Sequence, residues 1–384
     1  MIELGRCHAV NAWEQRKLKD LIIKGGSGGT PNSRIKKYYI GNIPFLNISD
    51  ISTRNIQDSE KHISKQGMES CSAWLVPAGS ISLAMYASVG KVGVLMKPMA
   101  TSQAFYNLCF NDESLRNYVY SRLEKAQIYS EWNPYISTGT QSNLNAKKVL
   151  NFILEIPEPE EVEQIGKLFT ILDALIDAEK RKLDLLKQKK KALLHQIFEQ
   201  KLRFKGYNNP WERRKGSDII HVRKETNSKP LTDTVDIELE NLIEGGGLQG
   251  DISLRTSSTS VFREHDTLFG RLRPYLRKFW LADISGVKSG EIWALFSPTL
   301  KSEFLYALTQ SAQFLNPALQ TAGTKMPRAE WKAIAEACFT IPETDEQEKI
   351  GQLFRQLEHL TAVETRKIDL LSVKKKALLQ KMFV

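Results

Sequence analysis

Cysteine is scarce in this 384-residue chain: Cys7, Cys71, Cys109 and Cys338 stand far apart. Such spacing argues against a disulfide frame and for reduced thiols in a cytoplasm. No apolar run approaches the length of a membrane span, so no membrane is expected. The stretch from Met1 to Lys24 lacks the apolar core of a signal peptide. Six dispersed histidines and the isolated cysteines give no zinc spacing and no nucleophile–base pairing. Gly25-Gly26-Ser27-Gly28-Gly29-Thr30-Pro31 has no lysine where a phosphate-binding loop requires one, which leaves a flexible turn. Asn133-Pro134-Tyr135 has one proline too few for the tetrad of amino-methyltransferases and no glycine-rich loop for S-adenosylmethionine, so it too is a turn. These absences point away from catalysis and from a resident cofactor or metal.

What is present is a repeat. Ile156–Phe198 and Ile341–Phe383 align without a gap, with 24 identities in 43 positions. A match of that density within one chain is a true internal duplication. Both copies are punctuated as helices. Pro159 stands at a first helical position, with Glu160, Glu161 and Glu163 in the positive first turn. Thr344 and Gln347 fit a capping box in the second copy. About 40 uninterrupted residues predict a helix roughly 60 Å long. Its narrow seam, Ile165, Leu172, Leu186 and Leu193 matched by Ile350, Leu357, Leu371 and Leu378, calls for a partner helix. The other copy is the expected partner, paired antiparallel. Glu179 and Glu364 interrupt the seam at matching places, with Arg181, Lys182, Arg366 and Lys367 near enough in sequence to neutralise them. The alternative is a solvated break in a weak coil.

The duplication extends further. Trp13-Glu14-Gln15-Arg16-Lys17 echoes Trp211-Glu212-Arg213-Arg214-Lys215, and Gly139-Thr140-Gln141 echoes Gly323-Thr324-Lys325. The predicted order is a globular unit (1–158), a long helix (159–206), a second globular unit (207–342) and a second helix (343–384). The expected class is α+β, two strand-rich units with two long helices in an antiparallel coiled coil. In the first unit strands are expected at Tyr38 to Ile40, Ser72 to Val76, Ser80 to Ala87, Lys91 to Met96 and Ala104 to Phe110, then a helix from Glu113 to Ile128. The second unit is strand-rich with a helix from Ser302 to Leu315. Between their matching ends the two units share almost no sequence. The frame repeats while the middles diverge.

A formal net charge of +10 suits an anionic partner without identifying it. The sharpest local feature is Phe269-Gly270-Arg271-Leu272-Arg273-Pro274-Tyr275-Leu276-Arg277-Lys278, four cations and two aromatics with no acid. Such a run can contact phosphates and base edges, or it can be an exposed basic strand edge that discourages aggregation. Lys325 and Arg328, beside Thr324, extend the candidate surface. Arg34, Lys36, Lys37, Lys91 and Gln103, with Thr140 and Gln141, are the counterparts in the first unit.

These motifs resemble, in order and over nearly the whole chain, the specificity (S) subunits of type I DNA restriction-modification systems. The likeness rests on Gly29-Thr30-Pro31, Ile43-Pro44-Phe45-Leu46 with Ser49-Asp50-Ile51, Pro77-Ala78-Gly79-Ser80-Ile81 and Thr101-Ser102-Gln103-Ala104-Phe105. Gly270 to Leu276, Gly323-Thr324-Lys325-Met326-Pro327-Arg328 and the two helices ending Lys-Lys-Lys-Ala-Leu-Leu complete it. The resemblance implies two target recognition domains, each reading half of a split, asymmetric site in double-stranded DNA. It implies helices that set the spacing and dock two modification (M) subunits, which bring S-adenosylmethionine. Restriction (R) subunits join the full complex. The chain itself is then expected to be non-catalytic, without cofactor, and cytoplasmic. A stand-alone DNA-modifying enzyme and a coiled-coil protein scaffold are the alternatives.

Overall fold

The computed structural model describes residues 13–136, 143–227, 234–253, 258–320 and 325–383. Helices and small sheets share the chain, which is α+β as expected. It divides into two compact units that do not follow the linear order. One holds Met1–Arg181 with Arg366–Val384, the other Lys182–Thr365. Each unit therefore owns the start of one long helix and the end of the other.

The long helices run Pro159–Phe198 and Thr344–Met382. Pro159 is indeed the first helical residue. Thr344, however, is also inside its helix rather than capping it. The Gln347 side chain donates to the Pro342 carbonyl and accepts the Lys301 N–H, so the expected capping box does not form.

In the first unit a five-stranded sheet has the order Lys24–Ser27, Phe105–Cys109, Ile81–Ala84, Val92–Leu95, Asn55–Ile56. The three central strands coincide with those expected from sequence, and the helix Glu113–Ile128 matches to the residue. Tyr38–Ile40 is not a strand, because Lys36–Tyr39 forms a 3-10 turn. Ser72–Val76 keeps only an isolated bridge from Val76 to Met99. The glycine-rich stretch is partly strand rather than free turn, and its glycines are there for space. A Cβ on Gly28 would lie 1.9 Å from the Thr101 carbonyl oxygen, and one on Gly25 2.8 Å from the Tyr106 hydroxyl.

The second unit repeats the plan with four strands, His221–Val222, Ile292–Phe296, Thr267–Gly270 and Phe279–Leu281. The helix expected over Ser302–Leu315 is two, Ser302–Gln310 and Ala312–Leu319. Ser311 adopts an extended backbone (ψ 162°) and its hydroxyl donates to the Leu308 carbonyl at 2.7 Å, which ends one helix and starts the next. The tryptophan echo also has a structural meaning. Glu14–Lys17 pairs antiparallel with Ile153–Ile156, and Glu212–Lys215 with Cys338–Ile341, so each echo clamps the strand that leads into a long helix.

Inside each unit the helix segments are antiparallel and contribute to the core. Phe169 stacks on Phe383, ring centroids 5.8 Å apart, within the first core; Phe198 and Phe354 are buried in the second. Gly166 and Gly351 sit where the long helices cross their units' surface helices. A Cβ there would be 3.1 Å from the Ser114 carbonyl oxygen and 3.0 Å from the Phe304 amide nitrogen, respectively. The seam glutamates are buried and paired. Glu179 accepts from Lys367 at 2.5 Å in one unit, and Lys182 donates to Glu364 in the other. These are one contact written twice by the repeat. Each pairs a buried carboxylate with a half-exposed lysine, and a slip of register would strand the carboxylate in the seam.

Candidate nucleic-acid interface

Several candidate residues lie where an inner strand leaves its sheet, and the backbone at that exit is the same in both units. In the first, the Ile81–Ala84 strand leaves the sheet through Met85, Tyr86 and Ala87, the last at φ 60°. Ala84 N–H donates to the Lys91 carbonyl (2.8 Å), Met85 N–H to Ala104 (2.7 Å), and Leu144 N–H to Met85 (2.9 Å). In the second, Thr267–Gly270 leaves through Arg271, Leu272 and Arg273, the last at φ 52°. Gly270 N–H donates to the Lys278 carbonyl (3.0 Å), Arg271 N–H to Glu291 (2.9 Å), and Ala329 N–H to Arg271 (2.8 Å). Lys91 and Lys278 thus hold equivalent places. Met85 stands where Arg271 does, and Ala87 where Arg273 does. A constant hydrogen-bonded frame carries different side chains.

In the second unit the run is bent by Pro274–Leu276, a 3-10 turn flanked by Arg273 and Arg277, both left-handed. Left-handed backbone costs a non-glycine residue roughly 1–2 kcal/mol. The strain is met by Arg273 N–H donating to Pro327 at 2.7 Å and Gly245 N–H donating to Arg277 at 2.8 Å. Arg273, Tyr275, Arg277 and Lys325 are exposed. Arg271 is half-buried, its guanidinium carbon 5.7 Å from the Trp293 ring centroid. Lys278 is engaged, donating to the Leu239 carbonyl at 2.9 Å. Arg328 is also committed, forking onto Glu291 at 2.7–3.1 Å; this pair holds the Glu291 carboxyl below the ordinary range. Glu291 was not anticipated. It lies in sequence far from the cations, and only the sheet brings it among them.

In the first unit the edge is less charged. Gln103 accepts the Thr30 hydroxyl at 2.5 Å. Arg34, Lys36 and Lys37 follow Thr30 in an exposed segment pinned by the Tyr39 hydroxyl, which donates to the Pro31 carbonyl at 2.7 Å. Lys91 is half-buried in its turn. Thr140, Gln141 and Thr324 lie outside the described residues. Among the described residues no group of acids, histidines and cysteines could hold a metal, and no helix is long and apolar enough to cross a membrane.

One cation beside this edge was missed. Lys288, on the strand Gly286–Lys288, is 4 % exposed, and its ammonium has no hydrogen-bond or ion partner among the described residues. Burial pushes its ammonium from 10.5 down to about 8, with Arg271 adding to the push and Asp266 opposing it. A folded-state value below the unfolded one means the unfolded chain holds more protons between pH 8 and 10.5, so stability rises with pH across that window. Lys288→Met is expected to stabilise the second unit at pH 7 by about 2–3 kcal/mol, the gain fading as pH approaches 10. Thermal unfolding of both proteins at pH 7 and pH 10 measures it; an equal difference at both pH values contradicts it.

The duplicated α+β architecture, with antiparallel helix segments in each unit, has counterparts among solved structures. It aligns over 100% of its length with 98% of the crystal structure of a type I restriction-modification system S subunit from M. genitalium, at TM-score 0.67 and 14% identity. Residues 11–188 match the model of the type I restriction modification DNA specificity domain. The chain is thus similar to type I restriction-modification specificity subunits, in sequence over residues 11–188 and in fold over its length. It is 28% identical over 232 residues to the type I restriction enzyme MjaIX specificity subunit of Methanocaldococcus jannaschii, covering 56% of this chain and 53% of that one. It is 29% identical over 152 residues to the HindI specificity subunit of Haemophilus influenzae, covering 38% of this chain and 32% of that one. The chain thus spans about half the length, or less, of the curated relatives it matches.

Proposed function

We propose that this chain is the DNA-reading, non-catalytic specificity subunit of a type I restriction-modification complex. Each strand-rich unit reads one half of a bipartite, asymmetric site in double-stranded DNA. The helical repeats set the spacing and dock two M subunits, which supply S-adenosylmethionine, with R subunits joining the full complex in the cytoplasm. The observation that carries this reading is the repeated strand exit, one backbone frame carrying Arg271 and Arg273 with the run to Arg277 in one unit, and Lys91 with the neighbouring Gln103 in the other. A reader of two different half-sites needs a constant frame and variable contacts; a scaffold binding protein needs neither. In the first unit Arg34, Lys36 and Lys37 would contact phosphates and Gln103 a base edge; in the second, Lys278, Lys325 and Arg328 would frame the arginines. Thr140, Gln141 and Thr324 remain candidates on the sequence resemblance alone.

The purified chain is expected to shift duplex DNA, the affinity falling with a steep negative slope in log salt, about 0.9 per phosphate neutralised. Retardation that does not respond to salt, or none with or without M subunits, would leave the scaffold as the better account.

A further inference from the structure

Three glycines in the second unit, Gly245, Gly246 and Gly247, have positive φ of 81°, 116° and 113°. They form a tight turn, Ile243 N–H donating to the Gly247 carbonyl at 3.0 Å. One side of the turn is bonded to the arginine run. Gly245 N–H donates to Arg277 at 2.8 Å, and Gly247 N–H to Phe279 at 3.0 Å. Its other side rests on the long helices. Lys190 donates to the Gly245 carbonyl at 3.2 Å and to Glu358 at 2.6 Å. Glu358 also accepts from Gln310 at 3.3 Å and meets the buried Tyr306 hydroxyl, whose pKa rises through burial first and then through that carboxylate. Only glycine fits at 246, since a Cβ there would be 2.6 Å from the Tyr306 hydroxyl and 3.2 Å from Glu358 Oε1.

We infer that Lys190, held by Glu358, is a positioning residue for DNA recognition by the second unit, fixing the Arg273–Arg277 turn through the three glycines. This rests on the DNA-reading function proposed above. Two features separate it from a general stabilising ion pair. Lys190 is 12 % exposed, which strengthens its bond to the carbonyl, and that bond goes to a loop rather than to another helix. Its repeat equivalent, Lys375, makes the matching ion pair to Asp173, but its second contact goes to the Glu124 side chain instead of a loop carbonyl. The same helical position is structural in one unit and wired to the candidate interface in the other.

The test uses the full chain with Lys190→Met, Lys190→Arg and Gly246→Ala. Hydrogen exchange at the Gly245 and Gly247 amides reads the loop, and selection from a randomised duplex DNA pool reads recognition. In Lys190→Met and Gly246→Ala both amides are expected to exchange about tenfold faster. The sequences they enrich lose discrimination in one half-site and keep the other, while Lys190→Arg retains both properties. Gly246→Ala strains the loop through its own positive φ and leaves both Lys190 and Glu358 in the chain, so misfolding of the lysine variant does not end the test. Unchanged amide exchange in both variants overturns the proposal. So does a loosened loop with both half-sites enriched as in the parent protein, or affinity lost equally for both halves, the mark of a merely structural pair. A parent chain that enriches no sequence overturns the DNA-reading function itself, and the positioning role falls with it.

Discussion

Lys375→Met is expected to cost the first unit about 3–5 kcal/mol at neutral pH, the usual penalty for removing one partner from a buried ion pair. Lys375 lies with Asp173 and Glu124, donating to Glu124 Oε1 at 2.6 Å. Arg54 closes the cluster through Asp173 Oδ2 at 3.2 Å and Asn117 at 2.7 Å, its guanidinium 4.2 Å from the Tyr120 ring centroid. Two cations face two carboxylates, so the group is neutral and locks the end of the second long helix to Glu113–Ile128. Burial already raises the Glu124 pKa, against the pull of Lys375. Removing the lysine raises it further. A carboxyl whose folded pKa lies above its unfolded one loses stability as pH climbs between the two values. The loss should therefore be smaller at pH 5 than at pH 8, and Lys375→Met with Glu124→Gln should recover much of it. Urea unfolding at both pH values, with hydrogen exchange in the Glu113–Ile128 helix to localise the effect, gives the answer. A pH-independent loss with no rescue would show packing of the lysine stem, rather than charge balance, to be what matters.

This cluster shows what could be seen in the sequence. The repeat disclosed that Lys190 and Lys375 are equivalent, and that Glu179 and Glu364 interrupt matching seams. Local signals also placed Pro159, the Glu113–Ile128 helix and the central strands, where apolar pattern and punctuation agree. What pattern could not supply was long-range. Arg54 meets Asp173 across 119 positions, and Lys375 meets Glu124 across 251. The glycines at 25–29 read as mobility because their purpose, a close approach to Thr101 and Tyr106, is tertiary. Glycines 245–247 went unnoticed for the same reason. In the candidate interface the cationic run was plain, yet the commitments of Arg328 to Glu291 and Lys278 to Leu239 were not. Charge is legible in sequence; occupancy is not.

That difference sharpens the expectation for the arginine run. Of its four cations, Lys278 is held by a carbonyl, Arg273 and Arg277 point from strained left-handed positions, and Arg271 lies along Trp293. Arg271→Ala with Arg273→Ala removes one oriented and one free guanidinium while leaving the committed residues in place. If both touch bases, duplex binding should weaken by about 1–3 kcal/mol for each lost contact, and the recognised sequence should relax in one half only. A phosphate contact has a different signature, a uniform loss over all sequences and a salt slope lower by about one. Arg273→Lys distinguishes the two, because it keeps the charge and loses the planar fork that grips guanine. The lysine variant should preserve the salt slope in either case, and lose half-site discrimination only if Arg273 reads a base. Selection from a randomised duplex pool at two salt concentrations resolves these outcomes. Should the double alanine variant match the parent protein in affinity, slope and selected sequence, the run is a solvated strand edge, and recognition by this unit must come from elsewhere on its surface.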